Sequence, residues 1–377
     1  MIVPSPGTLT AAARMFAAMA IAGGAACSAG SDMAGPTSDV MIPSASLALA
    51  SAPDTSVHAL PVPTGLVFTA MRGLSSGYII GNFNGTSGTG RPYAWSPPYT
   101  APAALIATSG VVEGLDDPNA IGDVAGNMGS ADPGFWSPPA SDGSGWTFTP
   151  ASVPSSYTSI VVSGVNTAHA LSGWGWSNGV EQALWWSDPA SEPTQLPWPT
   201  VSSGTVTGAL ATALNDAGTL VGSVNITSGR SSYSIAAVWT RQNGVWTVTL
   251  LPGGGTSTHA YDINEAGQVA GNGAGAVLWT PSGDSYTTTI VSADDGQVGR
   301  VDACGRVIGY TTASSPRAWI WDAGTITYLP TPAGAAGTEA AYIGPDPASP
   351  QNSIVMGLAQ PKRGAATPVY WTVAACP

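Results

Sequence analysis

The sequence predicts an all-β chain: a seven-bladed β-propeller of four-stranded antiparallel blades, closed by an N-terminal strand that pairs with the last blade. Three observations predict it. A template ending in glycine and then tryptophan recurs seven times. The composition, with 48 Gly, 32 Pro and only 8% charged residues against about 25% in ordinary soluble domains, suits short strands joined by tight turns. Finally, a phrase missing from the last repeat stands alone before the first.

Repeats are settled first, because a fixed period decides the architecture. The clearest copy runs His259-Ala260-Tyr261-Asp262-Ile263-Asn264-Glu265-Ala266-Gly267-Gln268-Val269-Ala270-Gly271 and closes on Ala276-Val277-Leu278-Trp279. Its glycine recurs at Gly81, Gly126, Gly173, Gly222, Gly271, Gly309 and Gly357. The tryptophan recurs at Trp95, Trp136, Trp186, Trp239, Trp279, Trp321 and Trp371, giving units 38 to 53 residues apart.

Each part of the template has a physical task. An Asn or Asp (Asn119, Asn166, Asn215, Asn264, Asp302) folds its side chain back on the backbone, and a glycine three residues later takes positive φ. His169 stands in that glycine slot, which His tolerates better than most residues. The pair marks the turn between a first and a second strand. The Ala-x-x-Trp segment is the third strand, and runs such as Val245–Leu250 after Asn243-Gly244 are the fourth. The tryptophans are expected to pack between neighbouring blades.

Fourth strands end in Leu196-Pro197, Leu251-Pro252 or Leu329-Pro330, whereas the seventh unit stops soon after Trp371 without this phrase. Leu60-Pro61 precedes the first unit, where a strand borrowed by the last blade must come from. The unit from Asp262 to Trp279 resembles the HAF-type extracellular repeat of bacterial proteins, and the likeness covers about residues 57 to 373. That resemblance implies export and repetition and no settled activity.

The N-terminus reads as an export signal over residues 1–26, with Arg14 before the apolar run Met15 to Ala26. Gly24-Ala25-Ala26-Cys27 resembles a bacterial lipobox, which makes Cys27 the lipidation candidate; ordinary cleavage near the same point is the alternative. Residues 27–56 read as a flexible tether and 57–377 as the propeller. With Cys27 acylated, Cys304 and Cys376 remain as an even pair for a disulfide outside the cytosol. The expected location is the outer membrane or cell surface, or the medium if Cys27 carries no lipid, with membrane contact only through that anchor.

A net charge of −12 excludes a nucleic-acid partner. No nucleophile elbow or phosphate loop occurs, so no catalytic residue is assigned, and no cofactor or metal is expected. His58, His169 and His259 are too dispersed for a metal site. Asp116-Asp117, Asp262 with Glu265, and Asp294-Asp295 fall in turns that Asp favours. The better ligand signal is aromatic: Trp174, Trp176 and Trp198 lie near connections that should emerge on one face, suited to a sugar face or a protein anchor. Three function classes stay open. A binding or adhesion module with a glycan or envelope-protein partner is favoured over a polysaccharide-acting hydrolase or lyase and over a structural envelope protein. Removing residues 57–65 is expected to lower the urea midpoint of unfolding much further than removing 28–56; equal tolerance would contradict closure by the N-terminal strand.

Overall fold

A computed structural model describes residues 56–376, apart from residue 76 and segments 86–89, 108–110, 113–121, 129–131, 141–144 and 293–295. The signal and lipidation region with Cys27, most of the tether, Asn119, Asp116-Asp117 and Asp294-Asp295 lie outside the described residues.

The chain forms a β-propeller. After β1 (Val57–Ala59), one blade holds β2 (Val67–Ser75), β3 (Tyr78–Asn84), β4 (Gly90–Trp95) and β5 (Ala104–Leu105). The next holds β6 (Val111–Val112), β7 (Val124–Met128), β8 (Asp132–Ser137) and β9 (Thr147–Pro150). A single larger sheet contains β10 (Tyr157–Val165), β11 (Leu171–Ser177), β12 (Val180–Trp186), β13 (Thr194–Gln195), β14 (Thr205–Leu214), β15 (Leu220–Ser228), β16 (Ser231–Gln242) and β17 (Val245–Leu250). Then follow β18 (His259–Ile263), β19 (Val269–Asn272), β20 (Ala276–Ser282) and β21 (Ser285–Ser292). The next blade is β22 (Gly296–Val301), β23 (Val307–Thr311), β24 (Ala318–Asp322) and β25 (Thr325–Tyr328). The last is β26 (Ala335–Pro345), β27 (Asn352–Pro361) and β28 (Thr367–Ala374), to which β1 adds with Val57 opposite Trp371.

The sequence reading counted seven separate blades, and the hydrogen bonding corrects it. Among the described residues there are five discrete four-stranded blades, not seven; the strands assigned to the third and fourth units make one eight-stranded sheet. The cause is local. A register shift between Val206 and Gly208 bends β14, and Gly208, which has no side chain, pairs in parallel with Glu181 of β12.

Among the described residues, six of the seven closing glycines sit beside a bulge in the first strand. Register shifts at Ala211/Ala213 and Ala260/Asp262 push the first strand inward, so a Cβ at Gly222 would collide with the Leu210 carbonyl and one at Gly271 with the His259 carbonyl. The tryptophan ring closes over the gap, with Trp95, Trp186, Trp239, Trp279 and Trp371 fully buried. The sixth unit departs from the template. Trp319 lies against Gly309 in the slot expected for Trp321, which is displaced towards the edge of the same cluster.

The turns interlock. Asn215 Oδ1 accepts from the Thr219 amide within its own turn, while Nδ2 donates to the Asn264 carbonyl of the next unit at 3.1 Å. Asn166 reaches the Asn215 carbonyl and Asn264 reaches the Asp302 carbonyl in the same way. Asp302 has no amide donor, and Arg306 replaces it. Its Nε donates to Asp302 Oδ2, and its Nη atoms donate to the Ala374 carbonyl and Ser353 Oγ of the last blade. Beside it, Cys304 and Cys376 form a disulfide spanning 72 residues.

The turn chain yields a direct expectation. Asn215→Asp keeps the acceptor but turns a carboxylate towards the buried Asn264 carbonyl, and should cost about 2 kcal/mol or more of unfolding free energy in urea. Unchanged stability would show that the interlocked amides contribute nothing.

Candidate functional site

The junction between the third and fourth units collects most of the tryptophans that do not close a blade: Trp174, Trp176, Trp185, Trp198 and Trp246. Asn178 and Gly179 both take positive φ, 52° and 76°, the signature of a two-residue type I′ hairpin. That turn fixes the β11–β12 register: Trp176 lies opposite Glu181, Trp174 opposite Ala183, and Ser172 opposite Trp185. Opposed residues of an antiparallel pair share a face, so Trp174, Trp176, Glu181 and Trp185 line one side of the sheet.

Polar groups of the fourth unit meet this side. Glu181 Oε2 accepts a hydrogen bond from Asn225 Nδ2 at 3.0 Å, and Asn225 Oδ1 accepts one from Ser234 Oγ at 2.8 Å. The amide is thereby held in one orientation. Burial pushes the Glu181 carboxyl above its ordinary pKa, and the Asn225 bond partly opposes that shift. Among the described residues Glu181 has no ion-pair partner. Trp176, at 36% relative exposure, leaves its ring open to solvent next to this carboxylate and amide.

Farther along the same junction, Trp185 meets Trp246 edge-on, with ring centroids 5.2 Å apart. The Arg241 guanidinium lies 4.7 Å from the Trp185 ring centroid, a cation–π distance. Trp246 also walls an open groove of about 500 Å3, with Pro197, Trp198, Pro199, Val248 and Leu250 among its lining residues. The groove is held in shape from below: Trp239 Nε1 donates to the Pro197 carbonyl at 2.9 Å. Trp198 is 37% exposed within it. The Trp246 Nε1–H is buried and has no acceptor among the described residues.

The three tryptophans singled out from the sequence are thus divided. Trp174 and Trp176 are strand residues on one sheet face, Trp198 sits in the groove, and no ring contact joins them among the described residues. Trp185 and Trp246 connect the two places. Sequence reasoning passed over these two and Glu181, although a signal existed. In the Trp185-Trp186 pair a strand must send one ring to each face, and Trp186 was already committed to the core.

The remaining candidates serve the fold. His169, at φ 59°, stacks on Phe135 and its Nε2 lies 3.0 Å from Asp123. His58 stacks on Tyr370. Asp262 is paired with Arg300 at 3.0 Å, and Glu265 accepts from the Asp216 amide. Asp302, Cys304 and Cys376 place ligand-type atoms together, with both sulfurs committed to the disulfide.

No family model matches the chain, the HAF-type resemblance included, and no curated protein matches it in sequence. Solved structures do match. A protein of unknown function from Dyadobacter fermentans is 13% identical with a TM-score of 0.47, covering 86% of this chain and 100% of that one. YCF48 from Cyanidioschyzon merolae is 12% identical with a TM-score of 0.51, covering 84% and 98%. An α-L-arabinofuranosidase from Fusarium graminearum is 10% identical with a TM-score of 0.37, covering 85% and 97%. At 12% identity the YCF48 likeness reaches the fold and goes no further, and the other two likenesses carry no argument.

Proposed function

We propose that this chain is an exported, non-enzymatic binding module that holds a glycan along the junction of its third and fourth units. The observation that carries the reading is Trp176 lying directly opposite Glu181, with that carboxylate tethered by Asn225. A sugar offers an apolar face of C–H groups and an edge of hydroxyls. An exposed indole beside a fixed carboxylate and amide matches both. Trp198 and Trp246 supply a second aromatic surface, and the unsatisfied Trp246 N–H favours a ligand rich in oxygen acceptors. Cleavage by paired carboxylates requires a second acid across the scissile bond. The described patch offers Glu181, and binding is therefore the better-supported activity. The Cys304–Cys376 disulfide supports a place outside the cytosol, with Cys27 as the proposed anchor.

Binding of the purified full-length chain to a panel of soluble envelope polysaccharides, followed by calorimetry, tests this. Trp176→Ala should weaken affinity about ten-fold, or ~1.4 kcal/mol. Binding should also fall on acidification, because the carboxylate protonates as pH drops through its raised pKa; Glu181→Gln should bind more weakly and lose that dependence. Stability runs the other way. A raised acid favours the folded state below its unfolded pKa, and that contribution is lost as pH rises through the folded pKa. Saccharide binding that is indifferent to both substitutions, or a panel with no ligand at all, would overturn the proposal.

A further inference from the structure

One arginine is built into the aromatic junction between the third and fourth units. Antiparallel register sets Arg241 of β16 opposite Trp246 of β17, so the two side chains share a face. The Arg241 guanidinium lies 4.7 Å from the Trp185 ring centroid and 6.0 Å from that of Trp246. Its Nε donates to the Gly244 carbonyl at 3.3 Å, across a turn in which Asn243 and Gly244 both take positive φ. The side chain is therefore held by two rings and one carbonyl. Its Nη atoms have no hydrogen-bond or ion-pair partner among the described residues. A guanidinium fixed in this way presents two parallel donors already aimed, and loses less conformational freedom on taking a ligand than a free side chain does.

The ring that Arg241 approaches also walls the groove. Trp246 stands with Trp198 and Pro199 around the open space of about 500 Å3, and no acidic residue is among its lining side chains. Thr200 and Thr247 contribute hydroxyls there. An arginine without an acidic partner stands out in a chain with 22 acidic and only 10 basic residues. Glu181, the carboxylate of this junction, is four residues from Trp185 on the same face of β12, about 13 Å along the strand. The two ends of the junction thus carry opposite charge, each beside exposed or half-exposed indole.

Resting on the glycan reading of this junction, we propose that the groove takes an acidic sugar unit, a uronic acid whose carboxylate is bound by the Arg241 fork while its ring lies against Trp198 and Trp246. The planar fork matches a carboxylate in a two-point contact. One guanidinium also balances one negative charge. A phosphomonoester carries about −1.5 to −2 and would leave an excess beside an already acidic protein. Glu181 repels the same carboxylate, so the acidic unit belongs at the groove and an uncharged unit at Trp176. The ligand class is accordingly a glycan that mixes uronic acid with neutral sugars.

The test is calorimetric titration of the purified full-length chain with short oligosaccharides in which glucuronate alternates with glucose or with N-acetylglucosamine. The same oligosaccharides, with their carboxyls reduced to alcohols, are the comparison. The acidic form should bind about ten-fold more tightly than the reduced form, and added salt should narrow that gap. Arg241→Met keeps an apolar stem over the rings and deletes the donors, so it should abolish the preference with an unchanged thermal transition. Arg241→Lys keeps the charge without the fork and should retain only part of it. Trp176→Ala should weaken both forms alike. Equal affinity of the acidic and reduced forms would overturn this proposal and leave the glycan reading standing. Binding of neither form would overturn it too, with the glycan reading then judged on its own panel. A folded Arg241→Met protein that keeps the full acid preference would show that Arg241 merely covers the rings.

Discussion

Five indole N–H groups hold the ring together by reaching for the carbonyl of the segment that leads into their own unit. Trp95 bonds the Pro61 carbonyl at 2.7 Å, Trp186 that of Ser152 at 2.9 Å, and Trp239 that of Pro197 at 2.9 Å. Trp279 bonds the Pro252 carbonyl at 2.9 Å and Trp371 that of Pro330 at 2.7 Å. One such bond contributes only about 1 kcal/mol net. Its leverage comes from position. The leucine before the acceptor proline is buried at the outer edge of the preceding unit, as with Leu196, whose amide donates to the Ala183 carbonyl. The carbonyl one residue later is caught by the next unit. Every Leu-Pro phrase is therefore a strap across a joint, and the first strap closes the circle: the Leu60 amide donates to Pro368 of the last blade while Pro61 is held by Trp95 of the first.

What could be read from the sequence was what the chain encodes locally. The Leu-Pro phrase, the Asn turn with its glycine and the recurring tryptophan each concern residues a few positions apart, and the described copies have their expected local geometry except for the tryptophan of the sixth unit. Closure of the ring by β1 was legible because the missing phrase marked it, whereas other features that depend on contact between units were not. The pairing of Glu181 with Gly208 needs a bulge in β14 that no composition signal marks, so the merging of the third and fourth units into one sheet went unforeseen. In the sixth unit, Trp319 and Trp321 point to the same face two residues apart, and only packing against Gly309 decides which ring takes the slot. The candidate site shows the same division. Trp176 and Trp198 were visible as aromatics in excess of the template; Glu181, Asn225 and Trp246 acquire meaning only once the two units are in contact.

The joints are not all made alike, and the differences follow the chemistry available. Where the turn carries Asn, an amide donor reaches the next turn. Where it carries Asp302, a buried guanidinium from Arg306 and a disulfide to Cys376 tie the last blade in place. Closing a loop of this length removes about 4 kcal/mol of chain entropy from the unfolded state on the entropic model. The joint between the third and fourth units is strengthened differently, by strand pairing that also delivers Glu181 to Asn225. Strength and the candidate ligand surface thus arise from one contact.

If the straps set the geometry of that surface, the Trp239 indole N–H controls Pro197 and with it the seat of Trp198. Hydrogen exchange of Trp239→Phe, which keeps an aromatic ring in the core but deletes the donor, measures this directly. The account predicts faster exchange across Leu196 to Thr200 and in β17, while β18 to β28 keep their protection. Unchanged exchange in the strap, or a uniform rise around the whole ring, would contradict it.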